Sequence, residues 1–443
     1  MNNLFASAAS LLLGEPPGAS VIHDVHLLLT ELGYAGPAGA EPDQQTLHRA
    51  RLLQAASRFI RIFELAAPDA PGLIAFGAEV DPASADALHQ GSPPASVSGI
   101  GLTMQAAFQG CVGEGIEYLS QLQRADDVIV AADGAAAEAM LDRPARELVA
   151  ALMSARGGAD LSWHRAIRLS DRREILLPAD LCLRRPPARQ EFVPPFPLSI
   201  GSAAGTSFEG AALHGLLELI ERDAASLWWN GGSRGRAVAP EAESGAQALL
   251  HQLRAGTPAP RRSWLLDITT DIGVPAVAAM SFRPDGYGFA FGLAARLTPE
   301  AAARAATLEM CQGELACAVV EAKSRERGKA ALNPRDRGHL RRATAIDANA
   351  CSLLHPVSGR ADHLPIEPAD PQGALDTIVR RLSELGVDTY SLDLTRQNLS
   401  VPVARIMAPA LQMEPSTFVT ARLAHMIAET GGGATETGSI PLI

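Results

Sequence analysis

The sequence is poor in aromatic residues and in positive charge, and each shortage excludes a class of protein. Aromatic residues make up 5% of the 443 residues, which argues against a glycosidase with paired carboxylates in an aromatic-lined sugar cleft. The formal net charge is −11, which excludes electrostatic binding to nucleic acid or to an anionic membrane as the main interaction. No apolar run reaches the roughly eighteen residues that a membrane span needs.

Cysteine is also scarce. The five cysteines are Cys111, Cys182, Cys311, Cys317 and Cys351. Their number is odd, and the only close pair, Cys311 and Cys317, lacks the spacing of a zinc site. Residues 1–15 contain a short apolar patch without a preceding basic residue, so we expect no secretory signal. We therefore predict reduced thiols in a cytoplasmic protein.

Familiar nucleotide and hydrolase motifs are absent as well. The sequence has no Walker A motif, and the glycine pair Gly99 and Gly101 is too short to indicate a dinucleotide site. The segment GSAAG at residues 201–205 lacks the central serine of a nucleophile elbow. Any nucleotide site in this chain is therefore expected to be of a non-Walker kind.

The order of helical and strand-like segments predicts an α+β fold. Residues 1–57 carry apolar residues at helical spacing around a Gly/Pro-rich stretch at 35–42, which predicts a helical N-terminal extension. The helical spacing continues from about residue 45 to residue 65, which predicts one helix over these residues. From about residue 58, helices and strands alternate irregularly and hairpins are frequent. That order favours mixed or antiparallel sheets flanked by helices, in one domain over residues 58–443.

Several local predictions follow from the same patterns. The sequence pattern predicts a strand at residues 72–80, a loop at residues 89–101 and a helix at residues 103–123. Residues 132–155 predict a single helix, and residues 161–183 a hairpin with its turn at 170–173. A long helix is expected to begin at Thr298 and to end near Lys323.

An acidic pattern is repeated in three of the predicted helices. Each helix has an alanine, an acidic residue seven positions later, and an oxygen-bearing residue three positions after that. The three sets are Ala107, Glu114 and Glu117; Ala211, Glu218 and Glu221; and Ala302, Glu309 and Gln312. Residues three apart lie on one face of a helix. Each helix therefore presents two oxygen-bearing side chains to the same side.

The second of these helices carries the pattern within a strongly apolar segment, GLLELIERDAASLWW at residues 215–229. Thr206 as N-cap and Glu209 three residues later fit a capping box, so we interpret Glu209 as structural. His214 and Arg222 fall on the same face as Glu218 and Glu221. From this position we expect His214 to assist proton transfer or to form hydrogen bonds around the site.

Carboxylates that converge in a partly buried cleft need cations. Two of them about 6 Å apart repel by roughly 3 kcal/mol at an effective dielectric constant of about 20. Mg²⁺ prefers a few carboxylates with phosphate oxygens to a cage made only of protein, and arginine suits a phosphate. The pattern therefore predicts a site for Mg²⁺ and nucleotide. For any single pair, the solvent-exposed face of an amphipathic helix is the alternative.

Four segments resemble, in chain order, the signature blocks of the YcaO superfamily. They are residues 98–120, 201–229, 296–313 and 389–411. The resemblance implies an α+β fold with a non-Walker site for ATP and Mg²⁺ between helices and sheets. In azoline-forming members, a Cys, Ser or Thr side chain attacks the preceding backbone carbonyl of a peptide. The adduct oxygen is then phosphorylated by ATP, and phosphate leaves to give a thiazoline or an oxazoline.

The resemblance also implies roles for residues. The implied metal ligands are Glu114, Glu117, Glu218, Glu221 and Glu309. The implied nucleotide-binding residues are these five together with Gly110, Ser207, Arg222, Arg304 and Gln312. Arg222 is expected to contact phosphate and, with His214, to take part in catalysis.

The chain departs from the family pattern at several places, among them Ile100, which stands where a lysine is frequent between the early glycines. Gly110 stands where a serine is frequent, and Gly210 stands where an acidic residue is frequent. Ala305 replaces a basic residue four positions before Glu309, and Arg304 is displaced from that position by one residue. These changes bear on ATP binding and on the base, whereas the central carboxylates are all present.

The function implied by the resemblance is an ATP-dependent cyclodehydratase acting on a ribosomally made precursor peptide. The implied partners are the precursor peptide, an E1-like leader-peptide-binding protein and, in some systems, a flavin-dependent dehydrogenase, within a homo-oligomer or a hetero-complex. Two alternatives stay open. One is thioamide or amidine formation by the same fold, and the other is a catalytically weakened subunit that serves as a scaffold or docking module.

Overall fold

The computed structural model describes residues 2–15, 18, 20–35, 43–131, 134–155, 161–255, 261–366 and 370–443. Most of the Gly/Pro-rich stretch predicted at 35–42 lies outside these residues. The α-helices are α1 Asn2–Leu12, α2 Ile22–Glu31, α3 Gln44–Ala56, α4 Met104–Gln121, α5 Gly134–Glu138, α6 Arg143–Ala155, α7 Ala179–Cys182, α8 Phe208–Trp229, α9 Pro240–Leu253, α10 Pro299–Arg327, α11 Pro334–Ala345, α12 Pro371–Glu384, α13 Ala421–Thr430 and α14 Ala434–Thr437.

The strands form three sheets, and the named strands pair in antiparallel fashion throughout the described residues. The strands are β1 Arg61–Leu65, β2 Ile74–Val80, β3 Ala95–Gly101, β4 Val130–Ala131, β5 Ser162–Arg168, β6 Glu174–Pro178, β7 Ser202–Ala204, β8 Arg262–Asp267, β9 Ala276–Phe282, β10 Ala290–Ala295, β11 Tyr390–Asp393 and β12 Val403–Met407. The sheet orders are β1-β2-β3, β10-β9-β8 and β4-β5-β11-β12-β7, with β6 also paired to β5. The predicted α+β class with antiparallel sheets is confirmed.

Each sheet is covered by one long helix. Helix α4 packs on β3 and β2, α8 packs on β12 and β7, and α10 packs on β10 and β9. The apolar residues that these helices bury against their sheets belong to three separate hydrophobic clusters. The predicted hairpin is present as β5 and β6. The long helix begins after its N-cap Thr298, as predicted, and ends at Arg327, one turn beyond the expected residue.

Three local predictions were wrong. Helix α3 ends at Ala56, and residues 61–65 form the strand β1 instead of continuing the helix. This strand pairs with β2, and an ion pair between Arg61 and Glu79 joins the two strands. The second half of the predicted loop at 89–101 is β3, which pairs along the whole of β2. The single helix expected at 132–155 is two helices, α5 and α6, because Asp142 accepts a hydrogen bond from the Ala145 N–H and starts a new helix.

The N-terminal helices pack directly on α4. Phe5 stacks on Phe108 with ring centroids 5.6 Å apart, and Tyr34 meets the same ring edge-on at 6.4 Å. Residues of α1, α2 and α3 share one hydrophobic cluster with α4 and the β1-β2-β3 sheet. The boundary between an extension at 1–57 and a domain at 58–443 stays a prediction. Among the described helices, none combines the length and apolar character required to cross a membrane.

Candidate functional site

Three strand–helix units of the same design bring the glutamates into one cleft. In each unit, a backbone N–H at or beside a strand donates to a helix glutamate 16 or 17 residues later. The Ser98 N–H donates to Glu114 (2.9 Å), the Gly201 N–H to Glu218 (3.0 Å), and the Leu293 N–H to Glu309 (3.2 Å). In each pair, one carboxylate oxygen, Oε2, is fixed against the sheet, and the second oxygen of Glu218 lies 3.5 Å from Arg222 Nη2.

The helix starts are also equivalent. Thr103, Ser207 and Thr298 are the N-caps, and each lies eleven residues before its glutamate. The predicted capping box of Thr206 and Glu209 is wrong. Ser207 has the extended backbone of an N-cap, and its Oγ accepts from the Gly210 N–H at 3.1 Å. Glu209 therefore lies in the first turn, where its charge complements the positive end of the helix dipole.

Two further side chains link neighbouring units. Glu117 of α4 accepts a hydrogen bond from the Ala204 N–H of β7 at 2.8 Å. Gln312 of α10 donates from Nε2 to the Ser98 Oγ of β3 at 3.1 Å. The second position of the acidic pattern therefore joins α4 and α10 to the sheet of another unit, whereas Glu221 of α8 contacts Arg222 on its own helix.

The carboxylates influence each other electrostatically. Burial raises the pKa of Glu114 and of Glu117, and the charge of Glu218 adds to both increases. Burial also raises the pKa of Glu309, although the neighbouring Arg222 opposes this. Burial raises the pKa of Glu221 to about 8, again against Arg222. Helices that are distant in sequence thus place their acids within electrostatic reach.

Arg222 is the cation on the same helix face. Its Nη2 lies 3.5 Å from Glu218 Oε1 and 3.7 Å from Glu221 Oε1. Its Nε is buried and has no hydrogen-bond acceptor among the described residues. A buried guanidinium N–H without an acceptor is costly. Together with acids whose ionisation is disfavoured, it indicates a site that is completed by a bound cation and an anionic oxygen.

The protein does not supply a complete metal cage. Within the part of the chain that the structure describes, no three His, Cys, Asp or Glu side chains are grouped closely enough to hold a metal ion. Such a cage is not required for Mg²⁺, which binds through one or two carboxylates together with phosphate oxygens and water. The donor set is therefore suited to Mg²⁺ that arrives with a phosphorylated ligand.

The structure shows the surroundings of three other predicted site residues. Gly110 faces Gly99, and a Cβ added there would lie 3.5 Å from the Gly99 Cα, an ordinary contact. Arg304 is exposed on α10. His214 lies one turn before Glu218. Desolvation of its imidazole ring lowers its pKa, and the positive charge of Arg296 lowers it further.

Sequence reasoning missed two cations near the glutamates. Arg296 acts electrostatically on Glu221 and Glu309, and Arg335 of α11 acts on Glu114. Neither residue follows the repeated helical pattern, so no spacing in the sequence connects them to the site.

Comparison with known proteins gives the family. The model of the family described as YcaO cyclodehydratase, ATP- and Mg²⁺-binding, matches residues 98–412. This chain belongs to the YcaO family. The matched range contains α4, α8 and α10 with all five glutamates, so the resemblance inferred from the sequence is confirmed. The predicted cofactors, ATP and Mg²⁺, are confirmed as those of the family.

Relatives of the YcaO chain are distant. An uncharacterized protein of Methanothermobacter thermautotrophicus is 28% identical over 271 residues, which are 58% of this chain and 66% of the relative. A heterocyclase solved in complex with substrate and cofactor is 22% identical, with a TM-score of 0.66 over 84% of this chain and 52% of that one. YcaO from Methanopyrus kandleri, solved with AMPPCP and Mg²⁺, is 19% identical, with a TM-score of 0.56 over 89% and 93% of the two chains.

Proposed function

We propose that this chain is an ATP- and Mg²⁺-dependent cyclodehydratase that forms thiazoline or oxazoline rings from Cys, Ser or Thr of a ribosomally made precursor peptide. The observation that carries the proposal is the convergence of glutamates from α4, α8 and α10 around Arg222, whose buried Nε lacks an acceptor. Proteins of this family use such a site to activate a peptide carbonyl oxygen as a phosphate ester.

The proposed residue roles follow from the contacts. Glu114, Glu218 and Glu309 are proposed to hold Mg²⁺ through their Oε1 atoms, while the strand N–H groups bind Oε2 and keep each carboxylate in a fixed rotamer. Arg222 donates from Nε to a phosphate oxygen and balances the negative charge. Bound Mg²⁺-ATP supplies a phosphoryl group that converts a carbonyl oxygen into a leaving group.

His214 is the proposed proton acceptor. Because its pKa is lowered, the imidazole is neutral at pH 7 and has a nitrogen lone pair available. It lies on the glutamate face of α8, four residues before Glu218. In the proposed role it takes the proton of the attacking Cys, Ser or Thr side chain.

The chain is proposed to work in the cytoplasm with an E1-like protein that binds the leader of the precursor peptide, and with a flavin-dependent dehydrogenase where rings are oxidised.

The test uses the full chain, an E1-like partner, Mg²⁺, ATP and a candidate precursor peptide rich in Cys, Ser and Thr, sought among the short open reading frames beside the gene. Mass spectrometry is expected to show the loss of one water for each modified residue, with phosphate release in step. Exchange of a carbonyl oxygen for sulfur would indicate thioamide formation instead. An unchanged peptide mass, together with retained partner binding, would favour a scaffold or docking subunit and refute the proposed activity.

The raised pKa of Glu221 predicts that Mg²⁺-ATP binding depends on pH. With a pKa of about 8, the Glu221 carboxyl is mostly protonated at pH 7 in the nucleotide-free protein. Because a cation in the cleft favours the carboxylate, binding must release a proton, so affinity is expected to rise between pH 6.5 and pH 8. Calorimetric titrations with Mg²⁺-ATP in buffers of different ionisation enthalpy measure the released proton directly.

The matched control for this effect is Glu221→Gln, which keeps the shape of the side chain but cannot titrate. It should bind Mg²⁺-ATP with a weaker dependence on pH over the same range and with a smaller proton release, because the other acids of the site can still titrate, and it should bind more weakly than the wild-type protein at pH 8. A wild-type protein that releases no proton on binding would contradict the prediction. The same would hold if the variant kept the full pH dependence.

A further inference from the structure

The third strand–helix unit differs from the other two at one position. Two residues before the N-cap, the first unit has Gly101 and the second has Gly205, whereas the third has Arg296. The two glycines are sterically required. A Cβ at Gly101 would lie 2.7 Å from the Ala106 Cβ, and one at Gly205 would lie 2.7 Å from the Ala211 backbone nitrogen. Only the third unit therefore has a side chain at this corner of the cleft, and that side chain is cationic.

The backbone around Arg296 is fixed on both sides. Its N–H donates to the Pro275 carbonyl oxygen at 3.0 Å, and Thr298, two residues later, caps α10. Three residues earlier, the Leu293 N–H donates to Glu309. The residue is therefore held at the junction of β10 and α10, at the end of the same strand that orients one of the proposed metal ligands.

The guanidinium of Arg296 is not used in an ion pair with any residue that the structure describes. Its Nη1 donates to the carbonyl oxygen of the preceding residue, Ala295, at 2.7 Å, and its side chain is exposed to solvent. Its charge nevertheless acts on Glu221, Glu309 and His214, which lie on two different helices. Arg222, by contrast, is already placed between Glu218 and Glu221.

We propose that Arg296 is a phosphate-binding residue of the nucleotide site, in the place of the cation expected at Arg304. Its guanidinium contacts the outer phosphates of ATP in addition to Arg222, and it makes the site prefer ATP to AMP. The assignment rests on the proposed function, because it needs the glutamate cleft to bind Mg²⁺-ATP. A planar guanidinium with several unused N–H donors suits phosphate oxygens geometrically as well as electrostatically.

Isothermal titration of ATP, ADP and AMP in the presence of Mg²⁺ tests this assignment without any peptide. Arg296→Gln is expected to weaken ATP binding about tenfold or more, the effect of losing hydrogen bonds to a charged group. AMP binding should change by less than about twofold, as for an ordinary surface substitution. Arg296→Lys keeps the charge and should retain part of the preference for ATP.

Two further variants make the result specific. Arg325→Gln, at an exposed arginine in the last turn of α10, should leave all three affinities unchanged. Arg304→Gln tests the residue that the family pattern implied. If Arg304→Gln lowers the ratio of ATP to AMP affinity and Arg296→Gln does not, the assignment to Arg296 is overturned. A wild-type protein that binds no Mg²⁺-ATP would instead refute the proposed function, and the assignment with it.

Discussion

Glu218→Gln is expected to lower ATP turnover by about a hundredfold or more while leaving the fold intact. Glutamine keeps the size of the side chain, and its amide oxygen can still accept the Gly201 N–H. It removes the charge that is proposed to bind Mg²⁺, and the loss of one preorganised electrostatic group in an active site costs about two to three powers of ten in rate. Phosphate release measures the turnover rate, and titration with Mg²⁺-ATP measures the binding affinity.

The same substitution should not destabilise the nucleotide-free protein. Glu218 is one of several acids whose mutual repulsion is balanced only partly by Arg222, as its contribution to the raised pKa of Glu114 and Glu117 shows. Removing its charge relieves this repulsion, so the thermal midpoint should be equal to or higher than that of the wild-type protein. Loss of activity without loss of stability is typical of a residue retained for function.

Glu209→Gln is the matched control on the same helix. It removes a charge from the first turn of α8, nine residues before Glu218, where the carboxylate only complements the helix dipole. We expect unchanged ATP turnover and a loss of about 0.3–1 kcal/mol in the free energy of unfolding. Full turnover by Glu218→Gln, or an equal loss of turnover by Glu209→Gln, would contradict a metal-binding role for Glu218.

The helical half of the site could be predicted from sequence because the side chains repeat. Glu114, Glu218 and Glu309 occupy equivalent positions on helices with a clear apolar face, and residues three apart must lie on one face. The other half consists of backbone N–H groups of Ser98, Gly201 and Leu293. Every residue except proline has such a group, so no residue type marks the donors, and they become visible only when strand and helix are packed together.

The wrong prediction of a loop at 89–101 has the same physical origin. Strand β3 contains Ser98, Gly99 and Gly101, residue types that are unfavourable in strands and typical of loops. They are tolerated because α4 crosses the strand so closely that a Cβ at Gly99 would lie 2.0 Å from the Cys111 backbone nitrogen. Tertiary packing therefore overrides local propensity at the point where the site is built. Arg296 was not predicted as a site residue for a related reason. It differs from its counterparts Gly101 and Gly205 only when the three folded strand–helix units are compared.

Gly292→Ala tests whether this close packing is needed for the site. A Cβ on Gly292 of β10 would lie 2.1 Å from the Met310 backbone nitrogen and 2.3 Å from the Ala306 carbonyl oxygen. Both are backbone atoms, so no side chain can rotate away and the strand itself must move. We expect the free energy of unfolding to fall by about 1–3 kcal/mol or more, as in overpacked cores. Chemical denaturation measures this loss.

The displacement should also reach the nucleotide. Leu293 follows Gly292 directly, so a strand pushed away from α10 takes the Leu293 N–H out of reach of Glu309. Folded Gly292→Ala protein is therefore expected to bind Mg²⁺-ATP more weakly than the wild-type protein, although no charged group has been changed.

Gly113→Ala on α4 is the matched control, because a Cβ there meets nothing within 4 Å. It should raise stability by about 0.5–1 kcal/mol, as alanine does in a helix, and leave binding unchanged. If Gly292→Ala matched this control in both measurements, close contact between strand and helix would not be what orients Glu309.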